Sequence, residues 1–421
     1  MKTSWVREAS GAVADVGVLV PIALAMIVVN GLSVTAVLVP AGFLYLAVAA
    51  VYRVPVAVQP LKAFGAIAIA TGAGPEVIAA GSLLMGAVFL ALGATGSLTR
   101  LARVIPAPVI RGVQAAVGLT LGLIGVRLVV HPPASFVGVL GAPLAAALAV
   151  AILAFLLLRR GAAALIVVAS AGLVALAVVL GTRPDGAAAS LASLADGWGP
   201  TGVAFPHMNA ATFALAATAL VLPQIPLTLT NSCVAPADAA PRYFGASARS
   251  VTPSRLGITL GIANLGIGAI GGMPVCHGAG GMSAHFLFGA RTWRAPAMIG
   301  GALGVAGLGA AGYVAALLPA FPVPALAALL GAAGVAHLKL LSDVHGWRAW
   351  VTVGAVGLVG AAGYLLVGVI LGAAVHVALS RARRGPAGAE AGAVAEPADP
   401  VTGAVDDARM PVEIVAGRRP W

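Results

Sequence analysis

Apolar windows of about 20 residues, the length a helix needs to cross a bilayer's hydrocarbon, recur from Ala12 to Ser380 between short polar or Gly/Pro-bearing interruptions. They predict spans near 12–29, 34–51, 75–92, 109–130, 138–158, 162–180, 210–230, 255–271, 295–318, 322–337, 348–361 and 362–380. Shorter stretches near 61–71 and 277–288 predict two half-length helices. Each follows a run too broken to be helical: Val54-Pro55-Val56-Ala57-Val58-Gln59-Pro60-Leu61-Lys62 before the first, and Gly271-Gly272-Met273-Pro274-Val275-Cys276-His277-Gly278-Ala279-Gly280-Gly281 before the second. Lipid forbids irregular backbone at that depth unless it is buried in protein or lines a cavity, so both runs mark a candidate site.

The fold class expected is therefore an all-α polytopic membrane protein with about 14 membrane segments and half-helices at segments 3 and 10. Segments 1–7 occupy residues 1–180, a polar outer loop covers 181–209, and segments 8–14 occupy 210–384. An odd number of segments per half makes the second half enter the membrane inverted, which is the condition for an inverted-repeat transporter. Residues 385–421 are rich in Pro, Gly, Ala and acidic residues without apolar period, and are expected to be a disordered cytoplasmic tail.

Composition agrees, with 60% hydrophobic and 9% charged residues. A net charge of +11 would suggest nucleic acid in a soluble protein, but here the basic residues fall in short loops. With the N-terminus inside, the inner loops carry Arg100, Arg103 and Arg111, then Arg159 and Arg160, Arg242, Arg249 and Arg255, Arg291 and Arg294, Lys339 and Arg348, and Arg381, Arg383 and Arg384. The outer side has little beyond Arg127 and Arg183, so both termini are expected in the cytoplasm and the chain in the cell (inner) membrane. Glu8, Asp15 and the lack of a cleavage site make the first apolar run an uncleaved span rather than a signal peptide. Cys233 and Cys276 are too few for a disulfide framework and are not spaced as metal ligands; no metal or cofactor is expected.

Polar side chains at membrane depth are costly, which makes each a site candidate. Lys62 follows Gln59-Pro60 at the first turn of a half-helix, where an ammonium beside a helix N-terminus favours an anion. His277 and the N–H groups of Gly278, Ala279 and Gly280 would face it from the second half-helix. Gln224 and Asn231 lie seven apart, on one face of the eighth span, and complete the expected binding set. Asp15 in the first span and His277 are the proton-coupling candidates; for Asp15, pairing with Lys62 and capping a helix are the alternatives.

In order along the chain, several runs together resemble the molybdate transporter family, related to the sulfate permeases. They are Gly11-Ala12-Val13-Ala14-Asp15-Val16-Gly17 with Pro21, Pro55 through Ala63, Pro223-Gln224-Ile225-Pro226-Leu227-Thr228 with Asn231-Ser232, and Met273 through Gly281 with Phe288-Gly289-Ala290-Arg291. The resemblance implies a core of segments 1–4 and 8–11 moving against a gate of segments 5–7 and 12–14, and uptake of molybdate, with sulfate as the close relative. Where that family shows Asp-Leu-Gly-Thr, this chain has Asp15-Val16-Gly17-Val18 and loses a hydroxyl; Gln-Pro-Met-Lys becomes Gln59-Pro60-Leu61-Lys62, a near-isosteric change.

The expected function is secondary active uptake of a tetrahedral oxyanion by alternating access, with proton coupling. A sulfate transporter and a passive anion channel of the same fold are the alternatives, and a homodimer is allowed. A nucleobase–proton symporter needs carboxylates in the eighth and tenth segments, and residues 197–237 and 239–342 contain neither Asp nor Glu. An intramembrane enzyme is disfavoured because His277 has no second metal ligand or serine partner in its run.

Overall fold

The computed structural model describes residues 4–159, 162–182, 197–203 and 205–381. The expected tail and most of the 181–209 connection fall outside the described residues. In chain order the elements are α1 (Trp5–Val28), α2 (Val34–Tyr52), β1 (Gln59–Pro60), α3 (Lys62–Thr71), α4 (Pro75–Ala94), α5 (Ser97–Val104), α6 (Ala107–Val130), α7 (Ala142–Leu158) and α8 (Ala163–Thr182). There follow α9 (Ala210–Ala248), α10 (Pro253–Ala269), β2 (Val275–Cys276), α11 (Ala279–Leu287), α12 (Arg294–Gly309), α13 (Ala311–Leu317), α14 (Val323–Leu338), α15 (Trp347–Ala361) and α16 (Leu365–Arg381). Among the described residues, seven helices are long and apolar enough to cross a membrane.

Three local features depart from the expectation. First, α1 starts at Trp5, capped by the Ser4 side chain, rather than near residue 12. Trp5 to Arg7 are exposed, but Glu8 is buried: it accepts from Arg291 N and Thr292 N and from Thr292 Oγ1 (3.1 Å), docking the helix start on the turn after α11. Second, the all-α reading omits β1 and β2, an antiparallel pair with Gln59 opposite Cys276 and Pro60 opposite Val275. Extended backbone without water must find partners, and the two broken runs supply them to each other. Third, α9 is long but irregular, with π-helical turns at Ala216–Val221 and Thr228–Val234. Pro223 and Pro226 remove N–H donors between them, and the wider turns absorb the mismatch.

Burial divides largely between two apolar clusters. The larger joins α2, α3 and α4 to α9, α10 and β2 through residues such as Tyr45, Phe64, Phe89, Leu220, Leu260 and Val275. The other joins α1 and α6 to α14 and α11 through Val18, Leu121, Ala284 and Leu329. Where α6, α9 and the turn after α14 meet, Arg111 donates to Asp343 through Nε (2.9 Å) and Nη2 (3.1 Å) and to Asp238 through Nη1 (2.6 Å). Gln114 Nε2 also donates to Asp238 (2.9 Å), and Arg242 Nη1 to Asp343 (2.8 Å).

Candidate functional site

The strand pair brings the two half-helices together. Leu61 N donates to Pro274 O at 3.0 Å, extending the ladder up to the start of α3. Asn264 of α10 grips the other strand: its Nδ2 donates to Val275 O (2.8 Å) and its Oδ1 accepts from Val275 N (2.9 Å). Neither Leu61 nor Gly278, the residues that open α3 and α11, supplies a side-chain cap. The first N–H groups of both helices are thus left for other acceptors.

A chain of hydrogen bonds runs through this junction. Lys62, half-buried, donates from Nζ to Gln59 Oε1 at 2.8 Å. Gln59 Nε2 donates to Asp15 Oδ1, and Tyr45 Oη donates to Asp15 Oδ2 at 2.5 Å. Because an ammonium only donates, the bond to Lys62 fixes which end of the Gln59 amide faces Asp15. Asp15 sits at a 3₁₀ turn, Val13–Asp15, inside α1, where the tighter winding turns its carboxylate toward α2 and β1. From α11, His285 Nε2 lies 3.9 Å from Asp15 Oδ2. The glycines at the start of α11 make this packing feasible. A Cβ on Gly278 would collide with the Gln59 carboxamide and lie 3.1 Å from Lys62 Nζ, and one on Gly281 would lie 2.6 Å from Asp15 Oδ1.

Two of the residues expected to bind substrate, His277 and Gln224, have hydrogen-bond partners within the protein. Both ring nitrogens of His277 have partners: Nδ1 lies 3.1 Å from Ala57 O, and Nε2 lies 2.8 Å from Thr259 Oγ1. The carbonyl can only accept, so Nδ1 carries a proton and a neutral ring accepts at Nε2 from Thr259, tying the first broken run to α10. Gln224 Oε1 accepts from Phe64 N (2.9 Å) in the first turn of α3, and its Nε2 donates to Thr228 Oγ1 (2.9 Å). It caps α3 from a neighbouring helix. Asn231 is buried in the second π turn of α9, and its Oδ1 and the Ser232 hydroxyl have no protein partner. Asp15, Gln59, Lys62 and Gly278 form one contiguous group.

Tyr45 and His285 were not singled out from the sequence. His285 carried a usable signal, an ionisable group inside an apolar segment, whereas nothing in its run marks Tyr45. A third group, His337 of α14, lies 2.5 Å through Nδ1 from the Ser283 hydroxyl, leaving its Nε2 buried and unpartnered.

A family model described as "Molybdate transporter of MFS superfamily" matches residues 7–121 and 216–336. The chain belongs to the molybdate transporter family. The two matched blocks enclose Asp15, Gln59, Lys62, Gln224, Asn231 and the His277–Gly280 run. The chain is 29% identical to molybdate transporter 2 of Arabidopsis thaliana over 386 residues, covering 82% of this chain and 81% of that protein. It is 29% identical to molybdate transporter 1 of Chlamydomonas reinhardtii over 432 residues, covering 79% and 83%. In fold it is similar to the transmembrane domain of a cyanobacterial bicarbonate transporter, BicA, with a TM-score of 0.53 at 16% identity, covering 88% of this chain and 97% of that one. As a member of the molybdate transporter family with several membrane-capable helices, the protein is a multi-pass membrane transporter and not an enzyme.

Proposed function

We propose that this member of the family takes up molybdate by alternating access, holding the anion against Lys62 between the starts of α3 and α11. The observation that carries the reading is the Lys62 ammonium. Gln59 takes one of its donors, and it lies beside Gly278, where the α11 N-terminus offers uncapped N–H groups. An ammonium and two helix N-termini together favour a multiply charged oxyanion. Asn231 is the further donor in this proposal. His277 and Gln224 brace the broken run and α3, and Asp15 carries the coupling proton.

The segment organisation proposed is seven plus seven, inverted, with a core of α1–α4 and α9–α13 and a gate of α6–α8 and α14–α16. The helix pairings support it. Counting α12 and α13 as one segment, α4 packs on α10 while α12 packs on α2, and α6 packs on α15 while α14 packs on α7; each pair becomes the other when the halves are exchanged. The basic inner loops support cytoplasmic termini and an inner-membrane location.

Uptake of labelled molybdate and sulfate into proteoliposomes, each competed by the other, tests the substrate and the site together. Lys62→Ala should lower uptake by roughly a hundredfold, while His277→Ala lowers stability more than affinity. Full uptake by Lys62→Ala would remove the site. Sulfate uptake that molybdate does not compete would replace the substrate, and current without coupling to a gradient would favour a channel.

A further inference from the structure

We infer that His285 and Asp15 form a two-residue socket for a single coupling proton, and that Gln59 links its charge state to Lys62. The inference rests on the reading of Lys62 as the anion's counter-charge. His285 Nδ1 lies 2.6 Å from Gly11 O. A carbonyl oxygen only accepts, so Nδ1 carries a hydrogen. The other nitrogen, Nε2, is buried, has no hydrogen-bond partner and lies 3.9 Å from Asp15 Oδ2. In a neutral ring its lone pair faces a carboxylate oxygen, an arrangement with nothing to hold it together. One proton, placed on Nε2 or on Oδ2, turns the repulsive pair into an N–H···O or O–H···N contact.

The groups that touch or face Asp15 are Tyr45 from α2, Gln59 from β1 and His285 from α11, and Lys62 of α3 reaches it through Gln59. The helices α8 and α14 also pack on the turn that carries Asp15, and α14 brings His337 within electrostatic reach of Lys62. Cys276 of β2 lies within electrostatic reach of both Asp15 and Lys62. Without the extra proton, Asp15 and Lys62 cancel, and a dianion would bring two uncompensated charges into a low-dielectric site. With it, the set carries a net positive charge, because Asp15 no longer competes with the anion for Lys62 through the Gln59 amide. Proton and anion therefore bind more tightly together than apart, and each raises the other's affinity by the same factor. The step is a proton transfer from water to the pair, with no redox chemistry and no bond to the anion.

The test is calorimetric titration of the full-length protein in detergent with molybdate and, in parallel, sulfate, in two buffers of different ionisation enthalpy between about pH 6 and 8. The wild-type protein should take up one proton per anion, so that Kd rises about tenfold per pH unit. His285→Gln should still bind the anion but lose most of the proton uptake near neutral pH, and Asp15→Asn should bind with a Kd that no longer follows pH. Thermal unfolding reports whether each variant is folded, and if Asp15→Asn is not, His285→Gln alone decides. Proton uptake that is undiminished in folded His285→Gln, or absent from the wild type, overturns the socket and leaves Lys62 as the anion site. If neither anion binds the wild-type protein, the Lys62 reading is removed, and the socket with it.

Discussion

The cluster around Arg111 and the cluster around Lys62 are both charged groups set among apolar helices, yet one is closed on itself and the other is open. Arg111 spends its guanidinium on Asp343 and Asp238, and Gln114 and Arg242 occupy remaining acceptor positions on the same two carboxylates. At the other cluster, Lys62 has one protein acceptor, and His285 Nε2, 3.9 Å from Asp15 Oδ2, is buried without a hydrogen-bond partner. Burial without pairing costs roughly 1–3 kcal/mol for such a group, and on the proposed function that position is kept for a proton.

Four substitutions test that contrast, taken from the largest expected effect to the smallest. Lys62→Ala should reduce labelled molybdate uptake by roughly a hundredfold, as the loss of a charge-assisted contact worth about 2–3 kcal/mol predicts, with little change in the thermal midpoint. Gly281→Ala places a methyl group against Asp15 and Ala57 and should cost roughly tenfold or more in uptake, because misplacing the Gln59–Asp15 bond disturbs the charge balance at Lys62. Arg111→Ala should act in the opposite way, lowering unfolding stability by about 2 kcal/mol while anion affinity in the folded fraction stays within about twofold. The figure is below that for full burial because Asp343 is partly exposed. His277→Gln, which can keep one of its two bonds, should lower stability by about 1 kcal/mol with unchanged anion Kd by titration; a Kd shift larger than about threefold would put the imidazole on the substrate.

Much of the fold and of the proposed site is legible in the chain, for a reason that separates what a single stretch shows from what only packing shows. Gln59, Lys62 and the glycines of the second broken run stand out because polar groups and broken backbone are expensive in lipid, and expense shows in a single stretch of sequence. What Gln224 and His277 do is not visible there. An amide that caps a neighbouring helix and one that grips an anion have the same spacing, and only the third dimension brings Phe64 N to Gln224. The strand pair was missed for the same reason: two two-residue strands leave no alternation to detect, and the partners lie more than 200 residues apart in a chain of 421. The helix start at Trp5 precedes the expected one because Arg7 and Glu8 read as a polar flank, and only the turn at Arg291 shows that Glu8 is buried.

The β1–β2 ladder also acts as a calliper. It hydrogen-bonds the run leading to Lys62 directly to the run leading to Gly278. On the proposed mechanism the two jaws would keep their separation while the surrounding helices rearrange, and the binding pocket would travel with a fixed gauge. Discrimination between oxyanions of different radius should therefore be the same whether the pocket is sampled from the outside or from the cytoplasm, and the direction of net transport is set by the gradients alone.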